Sequence, residues 1–96
     1  MRRVIDRTVY DTEKSDLVAE YSNYLSSLDF FYVFERLYRT RKGYFFLYAE
    51  GGPMSKYADE PDVIFPMHPK EAYYWLEKNN KVDEIEALFP EEIEEA

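Results

Sequence analysis

Cysteine is absent from this chain, so neither a disulfide nor a thiolate metal site can support its fold, as suits a reducing compartment. Histidine occurs once, at position 68, and chemistry that needs an oriented imidazole has that single candidate. Glycine is scarce, with three residues, and no Gly/Ser or Pro-rich linker divides the chain. No apolar run approaches the roughly 18 residues of a membrane span, and the basic start Met1 to Arg7 leads into no apolar stretch. The reading therefore expects no signal peptide, no membrane partner and a cytoplasmic protein. Basic residues stop at Lys81, while Asp83, Glu84, Glu86, Glu91, Glu92, Glu94 and Glu95 crowd the last fifteen positions.

What is present is charge and aromatic rings. The 96 residues fit one domain, which at this length buries about 60 to 65% of the unfolded chain's surface. Twelve Lys and Arg against twenty Asp and Glu give a net charge of -8, which disfavours non-specific attraction to phosphate backbones and argues against direct nucleic-acid binding. The sign is uneven, +1 over residues 1–42 and -9 over residues 43–96. Aromatic residues make up 19% of the chain, ten of them tyrosine, too many for a disordered polyelectrolyte.

The pattern predicts an α+β domain over residues 1–90, followed by a frayed acidic tail, 91–96. Short β-favouring pieces lie at Val4-Ile5, Thr8-Val9-Tyr10 and Leu17 to Tyr21, with Asp11-Thr12-Glu13-Lys14 read as the turn of a first hairpin. A second hairpin runs from Phe30 to Thr40, turns at Arg41-Lys42-Gly43 and returns over Tyr44 to Ala49. In its first arm Phe30, Tyr32, Phe34 and Tyr38 share one face; Phe31, Val33 and Leu37 share the other. Val63-Ile64-Phe65 reads as a further strand ending at Pro66. A helix should start at Pro69 and reach Asn79 or Asn80, with Ala72, Tyr73, Trp75 and Leu76 on its inner stripe. Val82, Ile85, Leu88 and Phe89 make a shorter stripe before Pro90. Together these predict an antiparallel sheet of four to five strands in two hairpins, with one or two C-terminal helices.

Few residues offer catalytic chemistry. His68 precedes the helix start and suits a cap or surface role. Asp59, Glu60 and Asp62 crowd one turn whose oxygens could attract a divalent ion, yet Pro61 interrupts it and the spacing matches no calcium loop. Glu50-Gly51-Gly52-Pro53 lacks the Gly-Lys-Ser/Thr that follows in a phosphate-binding loop and reads as a backbone turn. The expectation is no catalytic residue, no metal and no cofactor. Tyrosine suits positions packed on one side and meeting a partner or water on the other. Arg36, Arg39, Arg41 and Lys42 interleave with Tyr38 and Tyr44, a pattern that can bind single strands by charge and stacking; the net charge makes that a subordinate reading.

From Leu37 to Ala58 the chain carries Leu37-Tyr38-Arg39-Thr40, Lys42-Gly43, Phe46-Leu47, Glu50-Gly51-Gly52-Pro53 and Ser55-Lys56-Tyr57-Ala58. Together with Tyr10-Asp11-Thr12, Glu20-Tyr21-Ser22-Asn23, Glu71-Ala72 and Trp75-Leu76, this resembles a group of small bacterial proteins carried on phages and other mobile elements. Some proteins of that appearance are anti-CRISPR proteins, acidic single domains that bind a CRISPR effector and often block its nucleic-acid channel. The resemblance implies a bacterial cytoplasmic setting and brings no catalytic residue.

Carboxylates three or four apart on a helix stand about 5 to 6 Å apart at Cβ and can form a row that imitates a phosphate track. The expectation is a non-enzymatic acidic inhibitor or interaction protein that binds a basic surface of a CRISPR effector or other nucleic-acid-binding protein. Asp59, Glu60, Asp62, Asp83, Glu84 and Glu86 would supply charge, and Tyr44, Tyr48 and Tyr57 would anchor the contact. The competing expectations are an adaptor that dimerises or docks through the aromatic hairpin, and a metal-assisted hydrolase built on the Asp59 to Asp62 turn.

Overall fold

A computed structural model describes residues 1–60 and 62–96. Strands β1 (Arg2–Ile5) and β2 (Thr8–Asp11) form a two-stranded hairpin; β3 (Asp16–Ser22), β4 (Val33–Arg39), β5 (Phe45–Gly51) and β6 (Asp62–Met67) form a four-stranded antiparallel sheet in sequential order. Helices α1 (Pro69–Lys78) and α2 (Val82–Leu88) follow, then a 3-10 turn at Pro90–Glu92. The protein is an α+β domain.

The first hairpin differs from the expected one. Its turn is Asp6-Arg7, both residues in the left-handed region at φ 50° and 65°, with Ile5 opposite Thr8; this two-residue turn matches the twist of an antiparallel pair. Asp11-Thr12-Glu13-Lys14 is not a hairpin turn. Asp11 caps a short 3-10 turn by accepting from the Glu13 amide at 2.9 Å, and that turn hands the chain to β3, which pairs with β4. The sequence signal was weak because neither turn residue is glycine.

β4 and β5 form the expected second hairpin, with Gly43 at φ 86° in its turn, a conformation costly for any residue with a Cβ. The period-two split gives the sheet two apolar faces. Leu37, Leu47, Phe45 and Ala49 point one way and meet Ala72, Trp75, Leu76 and Ile85 of the helices, or Tyr57 and Val63. Tyr38, Phe46 and Ile64 point the other way and are covered by Ile5 and Tyr10 of the N-terminal hairpin. Tyr38 stacks on Phe46 at 5.2 Å between ring centroids, and Tyr10 meets the same ring edge-on at 5.5 Å. Leu37, Phe46, Ile64 and Leu76 are essentially without solvent contact, each worth about 1.5 to 3 kcal/mol of apolar burial.

β4 begins at Val33, so Phe30 to Tyr32 precede the strand rather than extending it. Between Leu17 and Ala19 a bulge shifts the register of β3 and turns Val18 toward the helix-side core, as an extra strand residue does. β6 extends through Pro66 to Met67, which its place at the sheet edge permits.

Helix α1 starts where the sequence predicts. His68 is its N-cap: Nδ1 accepts from the Lys70 amide at 3.1 Å, and Glu71 reaches back to the His68 amide at 2.9 Å, a reciprocal capping box. The end is set by Asn80 at φ 56°, with the Lys81 amide donating to the Leu76 carbonyl at 2.9 Å, the six-to-one bond of a left-handed C-terminal cap.

Candidate functional site

The most perturbed carboxylate is one that sequence reasoning passed over. Glu35 stands mid-strand in β4, in the same period-two register as Val33 and Leu37, and is 1% exposed under the helices. Three donors meet it: the Tyr57 hydroxyl, the Trp75 indole N–H at 2.8 Å and the Lys56 ammonium at 2.9 Å. Burial alone would raise its pKa, but the hydrogen bonds from Tyr57, Trp75 and Lys56, with the lysine charge, hold it below the ordinary carboxylate value. Burial and the bond to Glu35 push the Tyr57 phenol upward. A carboxylate so fully donated to ties the 56–57 loop and α1 to the sheet; it is a structural centre, not a free acid or base.

A second tyrosine–carboxylate group lies on the hairpin side. Glu50 accepts from Tyr32 at 2.6 Å and from Tyr48 at 2.7 Å, and Tyr48 also reaches Asp62 at 3.3 Å. Burial and the Glu50 contact raise the Tyr32 phenol to about 12 and raise that of Tyr48 as well.

These arrangements redistribute the residues the sequence offered for binding. Tyr57 is 9% exposed and its hydroxyl is committed to Glu35, so it packs the core rather than anchoring a partner; the sequence could not reveal a carboxylate 22 positions away. Tyr48 is half-buried and tied to Glu50 and Asp62. Tyr44 is 56% exposed but shares a groove with Arg41, Lys42 and other cations, where Asp11 is the one carboxylate among the lining residues. Asp59 and Glu60 are exposed in their turn, and Asp62 opens β6; Pro61, between them, lies outside the described residues. Among the described residues no three His, Cys, Asp or Glu side chains converge as a metal site would require. The Gly51-Gly52 segment has no free anion-binding donor at Gly52, whose amide bonds the Tyr32 carbonyl at 2.9 Å.

The acidic residues of the C-terminal third do not form one continuous row. Asp83 and Glu86 are exposed on α2, whereas Glu84 is half-buried and turns toward Glu20, Tyr21 and Lys81 beside β3. Successive helix residues diverge by about 100°, which separates Glu84 from its neighbours. Glu86 instead joins Glu77, Glu94 and Glu95 around an open cleft of about 570 Å³ between the helices and the chain end. Its floor is apolar, from Tyr73, Val82, Ile85 and Ile93, and among the described residues no lysine or arginine lines it. The Tyr73 hydroxyl donates to Glu77 at 2.6 Å and orients that carboxylate. Ile93, Glu94 and Glu95, exposed in the segment after Pro90, line this cleft. Helix periodicity alone puts Glu77 opposite the Ala72, Trp75 and Leu76 stripe, but its neighbours across the cleft carry no local signal.

A third feature is apolar. Tyr24, Leu28, Phe30 and Phe31 are 57 to 96% exposed on the loop between β3 and β4, and Met54, 61% exposed, joins them through the hydrogen bond its amide donates to the Phe30 carbonyl at 2.7 Å.

Among the described residues no helix is long and apolar enough to cross a membrane. No protein-family model, curated protein or solved structure matches this chain.

Proposed function

We infer that the protein is a non-enzymatic interaction protein that binds a basic, nucleic-acid-binding surface of a protein partner, in the manner of an anti-CRISPR protein acting on a CRISPR effector. The observation that carries this reading is the cleft between α1, α2 and the chain end. Four carboxylates ring an apolar floor with no cation among its lining residues, a surface complementary to arginine and lysine side chains whose stems need apolar cover. Like-charge neighbours also repel, so a cationic partner relieves a cost the free protein carries. The acidic site is thereby redrawn: Glu86 remains from the sequence reading and Glu77, Glu94 and Glu95 join it, while Asp83 is exposed on α2 outside the cleft lining.

The test is the double variant Glu86→Lys with Glu94→Lys, assayed by affinity for purified CRISPR effectors loaded with guide RNA. Both side chains are exposed, so the fold should survive, and affinity should fall at least tenfold for a pair of desolvated or steering charges. Unchanged affinity at low salt would remove the cleft from the interface.

The adaptor reading keeps one specific support, the exposed Leu28, Phe30, Phe31 and Met54, since large apolar side chains gathered at a surface mark contact sites. Sedimentation that stays monomeric at every concentration, with no apolar-dye binding, would remove it.

A further inference from the structure

Carboxylates outnumber cations by twenty to twelve in this chain, yet one groove reverses that ratio. Where the N-terminal hairpin meets the β4–β5 turn, Arg2, Arg7, Lys14, Arg41 and Lys42 line a depression of about 530 Å³, with Asp11 the one carboxylate among its lining residues. Asp11 is already committed, pairing with Arg2 at 3.4 Å and capping the 3-10 turn. Among the described residues Arg7, Lys14, Arg41 and Lys42 form no ion pair.

Each of these four cations sits on a turn fixed by its own backbone. Arg7 occupies the left-handed turn of the first hairpin. Lys14 closes the 3-10 turn capped by Asp11. Arg41 and Lys42 stand in the loop closed by the Thr40 amide to the Tyr44 carbonyl at 2.8 Å and the Tyr44 amide to the Thr40 hydroxyl at 3.0 Å. Three turns from separate segments therefore bring like charges together, an arrangement that self-repulsion opposes and a multivalent anion relieves. The same groove holds the exposed ring of Tyr44.

We propose that this groove binds the phosphate backbone of single-stranded nucleic acid, with Tyr44 stacking on an unpaired base. The charges serve any phosphate, but an exposed ring beside them adds what a strand with unpaired bases offers and a free phosphate does not. The net charge of -8 does not prevent this. The acidic cleft lies on the helix side of the sheet and the groove on the hairpin side, and packed layers about 10 Å apart exceed the roughly 8 Å Debye length of physiological salt. The average charge read from the sequence hides two local fields of opposite sign. This site stands apart from the acidic cleft, so either can fail without the other.

The experiment is fluorescence anisotropy of the full chain with a labelled, mixed-sequence RNA of about 12 nucleotides. Four phosphate contacts predict a slope of log affinity on log salt near -3, or about a 50-fold loss between about 50 and 200 mM salt. Arg41→Glu with Lys42→Glu, both exposed, should abolish binding, and Tyr44→Ala should weaken it by roughly tenfold, whereas Asp83→Lys with Glu86→Lys should not weaken it. A duplex of the same length should bind more weakly, because its bases cannot stack on Tyr44. Absence of RNA binding at the lower salt would overturn the proposal. So would affinity indifferent to the Arg41 and Lys42 reversals, or equal affinity for duplex with no effect of Tyr44→Ala.

Discussion

Glu35 carries more consequence than any other single side chain, because its two oxygens join a strand, a loop and a helix. Truncating it to alanine leaves the Tyr57 hydroxyl and the Trp75 indole N–H without acceptors in the core, each costing about 1 to 3 kcal/mol. Glu35→Ala should therefore lower stability by about 3 kcal/mol and the melting temperature by roughly 12 to 24 °C, read by thermal unfolding. Glu35→Gln keeps an acceptor and should lose less. The pH dependence has a definite sign. Glu35 has a folded pKa below its unfolded value, so its contribution is present above about pH 4.3 and is lost as pH falls through the folded value. The acid limb of the stability curve should flatten in Glu35→Gln relative to wild type; an identical limb would show that Glu35 is not the linked group. This centre was half-legible in the sequence. Period two puts Glu35 in register with Val33 and Leu37, which marks a buried charge, but its partners come from elements 21 to 40 positions away and no local pattern could name them.

At the scale of elements, the sequence was most informative where period and punctuation agree. Pro69, the buried α1 stripe and the Gly43 turn between β4 and β5 fall where the pattern puts them, whereas Phe30 to Tyr32 lie ahead of the strand. It was least informative where a turn uses residues with side chains. Asp6 and Arg7 hold left-handed conformations without glycine, so the local pattern points to Asp11 to Lys14 as the turn and conceals the hairpin that covers Tyr38 and Phe46. Gly52 shows a different role for the scarce glycines. A Cβ there would stand 2.6 Å from the Phe30 carbonyl oxygen, inside contact distance of backbone that cannot move independently, because the Met54 amide holds that carbonyl and the Gly52 amide holds that of Tyr32. Gly52→Ala should cost roughly 1 to 3 kcal/mol through overpacking and loosen the β3–β4 loop that bears the exposed rings. Denaturant unfolding gives the first quantity and hydrogen exchange at the loop amides the second; wild-type values for both would mean that the close approach does not constrain the loop.

For the whole molecule, the sheet works as a partition. The uneven charge along the chain becomes an uneven charge in space, because the N-terminal hairpin packs on one face and the acidic helices and chain end on the other. Composition alone made the acidity legible, and the stripe of α2 oriented Asp83 and Glu86. The cleft itself was not legible, since Glu77, Glu86 and Glu94 meet only after Asn80 reverses the chain and the last residues fold back. Steered association through such a field falls steeply with ionic strength.

If this acidic face occupies the site where a partner protein otherwise binds nucleic acid, protein and nucleic acid must compete for it. Affinity for a purified, guide-loaded CRISPR effector should be measured by calorimetry at low salt, with and without saturating target duplex. The duplex should displace the protein, and Glu86→Lys with Glu94→Lys should weaken its binding. Binding that persists unchanged beside bound duplex and in that variant would contradict it.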